Sequence, residues 1–288
     1  VYCISNNQHI MTLVIKKRGR PSKADIAARQ SKVIVRSDAQ ILADLKERFD
    51  ILSVLTNGAI ARNIRAVTVT GAPGVGKTYT VESILESAAR SKSIRYEIVR
   101  GAISAVNLYK LAYDMRKPGS VIVLDDADSI FNDEDALNIL KVLCDSSESR
   151  RVSWMKESNT LKEHDIPQTF DFHGAMIFIS NLDFQRFVDE GKNKYVQHFE
   201  ALMSRSLYLD LRLHSRNELG VWIEHVATAG QIFRREGLSD AQGRAVLSFL
   251  RTNRENLREL SLRTLLKTAQ LVKTQTSWEK MARILLTK

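Results

Sequence analysis

The sequence predicts an α/β protein: a three-layer αβα sandwich around a parallel sheet, followed by a small all-helical domain. Three observations predict it. Short β-branched or apolar runs alternate with helical-period segments between residues 37 and 213, the order that builds a parallel sheet with helices on both faces. Val121-Ile122-Val123-Leu124 is unbroken in apolar character, and Ala175 to Ser180 nearly so, as strands buried on both faces require. From Asn217 onward every apolar pattern is helical.

The elements follow in order. Ser37 or Asp38 can cap a first helix running to Thr56, with Ile41, Leu42, Leu45, Phe49, Leu52 and Leu55 at helical spacing and Asn57-Gly58 as its stop. Ala66 to Thr70 is a β-branched strand. A glycine-rich turn leads into a helix from Lys77 to about Ala89, then a strand over Ile94 to Val99 and a helix over Ser104 to Met115. Pro118-Gly119 turns the chain into the Val121–Leu124 strand, and Asp133 to Cys144 is helical. Residues 146–173 are polar and irregular and read as an insertion or long loop. The Ala175–Ser180 strand, two short helices and a last strand over Leu207 to Leu213 complete the sandwich. Four helical runs follow, near 217–233, 239–252, 255–274 and 277–286. The chain divides accordingly into an arm over 1–36, an αβα domain over 37–214 and a helical domain over 215–288.

Composition sets the class. With 288 residues, 44% hydrophobic and 26% charged, this is an ordinary globular chain, neither disordered throughout nor of low complexity. No stretch approaches 18 apolar residues, so no membrane-spanning helix and no membrane partner is expected. Two cysteines, Cys3 and Cys144, cannot make a disulfide framework, which fits a cytoplasmic protein; Cys144 reads as a small buried hydrophobe. Residue 1 is Val and the first methionine is Met11, the pattern of an alternative or mis-called start, which mass spectrometry of the native N-terminus would test. The net charge of +10 is unevenly spread. Residues 1–36 hold eight Lys/Arg against one acid, residues 37–214 hold 22 against 25, and residues 215–288 hold 13 against seven. A mildly acidic globule between two basic ends points to a polyanion partner.

The sharpest motif is Gly71-Ala72-Pro73-Gly74-Val75-Gly76-Lys77-Thr78, followed by Tyr79. It matches G-x-x-x-x-G-K-[ST] between a predicted strand and a predicted helix. Glycines let successive backbone N–H groups turn inward onto phosphate oxygens, and the helix points its positive end at the same anion. Lys77 reaches the β and γ phosphates, and the Thr78 hydroxyl is a ligand for Mg²⁺. About 47 residues on, the Val121–Leu124 strand ends in Asp125-Asp126-Ala127-Asp128. Strand ends are where an α/β sheet presents groups to a ligand. There Asp125 can hold Mg²⁺ through water, and Asp126 can polarise an attacking water.

Together these motifs resemble the AAA+ ATPases, over roughly residues 38–288. Gly71–Thr78 looks like Walker A, and Val121–Asp126 like Walker B with its D-E-x-D-S-I continuation. Asp126 stands where the family has Glu; one methylene shorter, it places the catalytic water less well, which bears on hydrolysis and not on nucleotide binding. The resemblance implies a P-loop NTPase sandwich with a helical lid, and ATP and Mg²⁺ as cofactors. Ile177-Phe178-Ile179-Ser180-Asn181 resembles sensor 1, with Asn181 orienting the water. Arg205, in Ala201-Leu202-Met203-Ser204-Arg205, stands where the family has its arginine finger, which serves a neighbouring subunit and so implies a homo-oligomer, ring or filament. Arg263 and Arg258 compete as the lid arginine, sensor 2, with Arg263 favoured.

Gly101 to Tyr109 lacks the aromatic–hydrophobic–Gly loop of protein unfoldases, and Tyr109 reads as core. No H-E-x-x-H, Cys/His metal spacing or G-x-S-x-G elbow is present. The arm carries Lys16-Lys17-Arg18-Gly19-Arg20-Pro21-Ser22-Lys23, which looks like an AT-hook: extended arginines fit narrow A·T minor grooves, Gly19 permits close approach and Pro21 fixes the path. Lys17, Arg18, Gly19, Arg20 and Pro21 are therefore the candidate DNA contacts. The expected activity is ATP hydrolysis coupled to DNA remodelling or to loading a partner on DNA. An ATP-controlled DNA-binding switch and a remodeller of a protein client are the alternatives.

Overall fold

The computed structural model describes residues 36–91, 94–147, 150–191, 195–213, 215–274 and 277–288. The basic arm, with Lys17, Arg18, Gly19, Arg20 and Pro21, lies outside the described residues. Asp38–Lys288 form one compact unit. Its centre is a five-stranded parallel sheet in the order β2-β3-β6-β1-β7: β1 is Ala66–Thr70, β2 Arg95–Arg100, β3 Ser120–Asp125, β6 Ala175–Ser180 and β7 Leu207–Asp210. Three strands, β1, β3 and β6, are buried along their whole length, which is why they read as apolar or β-branched runs.

Alternate residues of each strand face opposite layers. Ile122, Leu124, Met176 and Phe178 pack on the helices α3 (Ala105–Asp114), α4 (Glu134–Leu143), α6 (Phe184–Glu190) and α7 (Val196–Arg205). Val67, Val69, Val121, Val123, Ile177 and Ile179 pack on α1 (Asp38–Ile60) and α2 (Lys77–Ser91). The pairing register aligns the strand ends: Thr70 with Ser180, Ile179 with Asp125, and Asp125 with Arg100. That alignment brings chemistry from four strands to one edge.

The C-terminal helices α8 (Arg216–Ala229), α9 (Ile232–Arg235), α10 (Asp240–Thr252), α11 (Leu262–Thr274) and α12 (Trp278–Leu286) form the lid around a separate apolar core with Phe249, Leu265 and Trp278. Ser215 caps α8, and Ser239 and Gln242 form a capping box on α10. Among the described residues no helix is long and apolar enough to cross a membrane.

Four sequence expectations change. The first helix runs through Asn57-Gly58 to Ile60; Gly58 serves close packing, since a Cβ there would lie 2.4 Å from the Ile64 side chain. Residues 146–173 are not irregular. They hold an antiparallel pair, β4 (Arg151–Ser153) with β5 (Thr169–Asp171), and a short α5 (Asn159–Glu163). Val152, Trp154, Leu161, Ile166, Phe170 and Phe172 drive into the main core, and each buried side chain of this kind contributes about 1.5–3 kcal/mol. The last strand stops at Asp210 instead of Leu213. The predicted 255–274 helix begins only at Leu262, because Leu257 instead bridges to Thr287 and Leu262 N–H is taken by the P-loop.

Candidate functional site

The loop after β1 turns on glycines with positive φ, 70° at Gly74 and 111° at Gly76, conformations that side-chain-bearing residues rarely adopt. A Cβ on Gly74 would also lie 2.8 Å from Ser261 Cβ, so the lid can approach only a glycine there. The lid holds this loop at two carbonyls: Leu262 N–H donates to Gly74 O at 3.0 Å, and Trp222 Nε1 donates to Val75 O at 2.9 Å. Trp222 stacks on Phe49 of α1 with ring centroids 4.3 Å apart. Val75 is buried in the same apolar cluster as Ile41, Leu45 and Trp222, whereas Pro73 is exposed.

Lys77 opens α2 and is buried. Its ammonium donates to Gly71 O at 2.8 Å, Ala72 O at 3.0 Å and Asn181 Oδ1 at 2.8 Å. Asn181 Nδ2 donates in turn to Asp126 Oδ1 at 2.6 Å. A continuous polar line therefore runs from the P-loop lysine through Asn181 to the second acidic residue. Burial lowers Lys77 to about 8, against the opposing pull of Asp126 and Asp125, and Arg263 adds to the lowering.

Beside that line, Thr78 Oγ1 donates to Asp125 Oδ1 at 2.8 Å. Burial raises the Asp125 and Asp128 carboxyls above their usual range, opposed by the hydrogen bonds from Thr78 and Ser180 respectively. The Ser180 bond to Asp128 Oδ1, 2.7 Å, ties the end of β6 to the turn after β3. Asp126 has φ 52°, and its N–H donates to Ile179 O at 3.0 Å. Asp tolerates this left-handed region better than longer acids do, so the shorter side chain suits the local backbone.

The other candidates separate. Arg263, in the first turn of α11, lies close enough to act on Lys77; Arg258 instead donates from Nε to Thr287 O at 2.7 Å and holds the C-terminal end of the chain. Tyr79 is 64% exposed, its hydroxyl accepting from Arg235 of α9 at 3.1 Å, so it faces the lid and not the loop interior. Arg205 ends α7, immediately before β7 begins, at the opposite edge of the sheet from Lys77; its Nε lies 3.5 Å from Asp145 Oδ2. Tyr109 is fully buried and donates to Pro167 O, a core residue as expected. Cys144 is buried, which pushes its thiol up to about 12.

Two functional residues escape sequence reasoning. Arg100, at the end of β2, sits 2.7 Å from Glu82 and 3.6 Å from Asp125 Oδ2, so a cation shares the Asp125 carboxylate with Thr78. Only the strand order reveals this neighbour. Trp222 belongs to no motif in the sequence, and its bond to the loop appears only once the lid is placed.

The donor set suits a nucleotide with a divalent cation. Hydroxyl and carboxylate oxygens converge at Thr78 and Asp125, a hard-cation set that nucleotide phosphates and water would complete, and a buried ammonium lies beside them. Among the described residues no group of three or more His, Cys, Asp or Glu could hold a metal by itself.

Residues 67–180 match the ATPase family associated with various cellular activities (AAA). An uncharacterized 36.7 kDa protein from the nrdC–mobD intergenic region of Enterobacteria phage T4 is 38% identical over 239 residues, covering 83% of this chain and 73% of that protein. Among solved structures, the chain is similar to the Aeropyrum pernix ORC1 protein in complex with DNA, with TM-score 0.47 and 12% identity over 83% of this chain and 64% of that one. It is also similar to C. elegans PCH-2, with TM-score 0.44 and 12% identity over 84% of this chain and 66% of that one. The chain thus spans about two thirds of each of these solved chains. By its phage relative and its match across the strands that carry the site, the chain belongs to the AAA family of P-loop ATPases.

Proposed function

We propose that the chain binds ATP with Mg²⁺ at the C-terminal edge of its sheet and hydrolyses the β–γ bond, acting as an oligomer on DNA. The observation that carries this reading is the hydrogen-bonded line Lys77–Asn181–Asp126 beside the Thr78–Asp125 pair. Gly71 to Thr78 cradle the phosphates, and Lys77 neutralises charge on the β and γ groups. Mg²⁺, held by Thr78 and through water by Asp125, would supply further charge neutralisation on those oxygens. Asp126 and Asn181 hold the water. As its oxygen bonds to the γ-phosphorus, the bond to the β–γ bridging oxygen breaks, ADP leaves with the electron pair and Asp126 takes the proton. Arg263 reaches the site from the lid. Arg205 lies at the far edge of the sheet from its own loop, which supports its serving a neighbouring subunit.

The DNA part rests on the sequence, namely the charge of residues 1–36 and the Arg18-Gly19-Arg20-Pro21 element, and the expected compartment is the cytoplasm. A second reading, an ATP-controlled DNA-binding switch with slow turnover, is favoured by one observation: the short Asp126 carboxylate is already engaged by the Asn181 amide. Steady-state ATPase activity, with and without A·T-rich duplex and beside Lys77→Ala, tests both. Turnover that rises with duplex and vanishes in Lys77→Ala is the expected result. ATP binding without turnover under either condition would leave the switch and remove the motor.

A further inference from the structure

At the edge where the strands begin, Arg62, Arg65, Arg150 and His173 line a cavity of about 120 Å³ against Gly119 and Gly174. The turn between α1 and β1 delivers the first two. Arg62 has φ 67°, and its guanidinium lies over Gly119, where a Cβ would be 3.1 Å from Nη2. Arg65 donates from Nη1 to the carbonyls of Ser146 and Ser147. Arg150 is only 4% exposed; it donates to Leu143 O at 3.0 Å and Gly174 O at 2.6 Å, and stacks over Phe172.

Among the described residues, no carboxylate lines this cavity. Among the described residues, Arg62, Arg65 and Arg150 form no ion pair, although Asp145 acts on Arg150 from a distance. The Asp145 carboxylate is itself engaged, accepting from Ser147 N–H at 2.8 Å and facing Arg205. Guanidinium groups keep their charge at all working pH values, and each carries five N–H donors. The bonds described leave Arg62 and parts of Arg65 and Arg150 free to donate. Three guanidinium charges in one small polar cavity are held by carbonyls, and among the described residues no carboxylate pairs with them directly. The volume suits a single tetrahedral oxyanion and is well below that of a nucleotide pocket.

We propose that this cavity is a binding site for a phosphate-sized oxyanion, with Arg65 and Arg150 as its floor and Arg62 and His173 at its mouth. The chemistry is that of a phosphate group, carried either by a free phosphate or by the backbone of a nucleic acid strand. The site is separate from the P-loop and does not depend on the ATP reading.

The test uses the full chain carrying Lys77→Ala, so that the P-loop contributes little to phosphate binding. Inorganic phosphate is titrated calorimetrically at constant ionic strength set with chloride, and a short duplex is titrated by fluorescence anisotropy. Each titration is repeated with Arg62→Gln and, separately, with His173→Ala. Arg62 makes no side-chain hydrogen bond among the described residues and His173 is exposed, so both variants should keep the fold, which circular dichroism checks. Losing one charge-assisted donor should weaken binding about tenfold or more. Phosphate binding weakened by Arg62→Gln supports the site and a free oxyanion. Duplex binding weakened by Arg62→Gln, with a shallower salt dependence and no phosphate binding, supports the site and a backbone phosphate. Phosphate and duplex titrations that neither variant changes would overturn the proposal.

Discussion

Where the strands end, Lys77 lies under the influence of Asp125, Asp126 and Asp128, and Arg100 is shared by Glu82 and Asp125. Where they begin, Arg65 and Arg150 are fastened to backbone carbonyls, and Arg62 lies against Gly119. The same strands thus carry a mixed-charge network at one edge and, around the cavity at the other, arginines that among the described residues are held by carbonyls. A side-chain network can exchange partners when a phosphate arrives, since Lys77 and Arg100 each have more than one acceptor. Arginines stapled to carbonyls are part of the scaffold, and their loss leaves backbone groups unpaired. Substitutions at the first edge should therefore change turnover with little loss of stability, and substitution of the carbonyl-bound Arg65 or Arg150 at the second should do the reverse.

Arg205→Ala probes that comparison hardest, because Arg205 sits at the second edge yet is assigned a role in turnover. Its loss should lower ATP turnover about 10³-fold with ATP affinity nearly unchanged, and mixing it with Lys77→Ala subunits should restore part of the rate. Loss of stability alone would return Arg205 to the scaffold. Next, Arg150→Met should lower unfolding free energy by about 3 kcal/mol in a denaturant titration, since Leu143 O and Gly174 O both lose their donor in the interior. Trp222→Phe keeps the stacking on Phe49 but removes the donor to Val75 O, and ATP affinity should fall by up to about tenfold. The smallest effect belongs to Arg100→Gln. Its guanidinium is half-exposed, so stability should stay within about 0.5 kcal/mol, while half-maximal nucleotide binding should need severalfold less Mg²⁺ once the competing cation at Asp125 is gone.

The sequence made the first edge legible and left much of the second hidden. β1 and β6 match their predicted limits because each is one compact run of apolar and β-branched residues, ended by the turn that carries the motif. Lys77, Thr78 and Asp125 are legible because each sits in a contiguous motif where a strand ends, although Thr78 meets Asp125 and Lys77 meets Asn181 only across the sheet. Arg100 depends on β2 lying beside β3, and Trp222 on how the lid packs, and neither is local information. The insertion misleads because Val152, Trp154, Leu161, Ile166, Phe170 and Phe172 follow no single period, although all six are buried. Arg150 looks like one more surface charge in that segment until Leu143 and Gly174 are brought around it. Between the two lid arginines, the sequence pattern leaned on a helix beginning before Arg258; the bridge from Leu257 to Thr287 and the bond from Arg258 to Thr287 O turn Arg258 to the end of the chain, and of the two only Arg263 acts electrostatically on Lys77.

Asn181 joins the P-loop lysine to Asp126, the residue proposed to hold the water. Asn181→Ala cuts that link at both ends while leaving Lys77 its bonds to Gly71 O and Ala72 O. The measurement is ATP affinity and single-turnover hydrolysis in the same preparation. The account predicts affinity within about threefold of the parent and hydrolysis slowed about 10²-fold or more. Hydrolysis at the parent rate, with Asn181 gone, would contradict it.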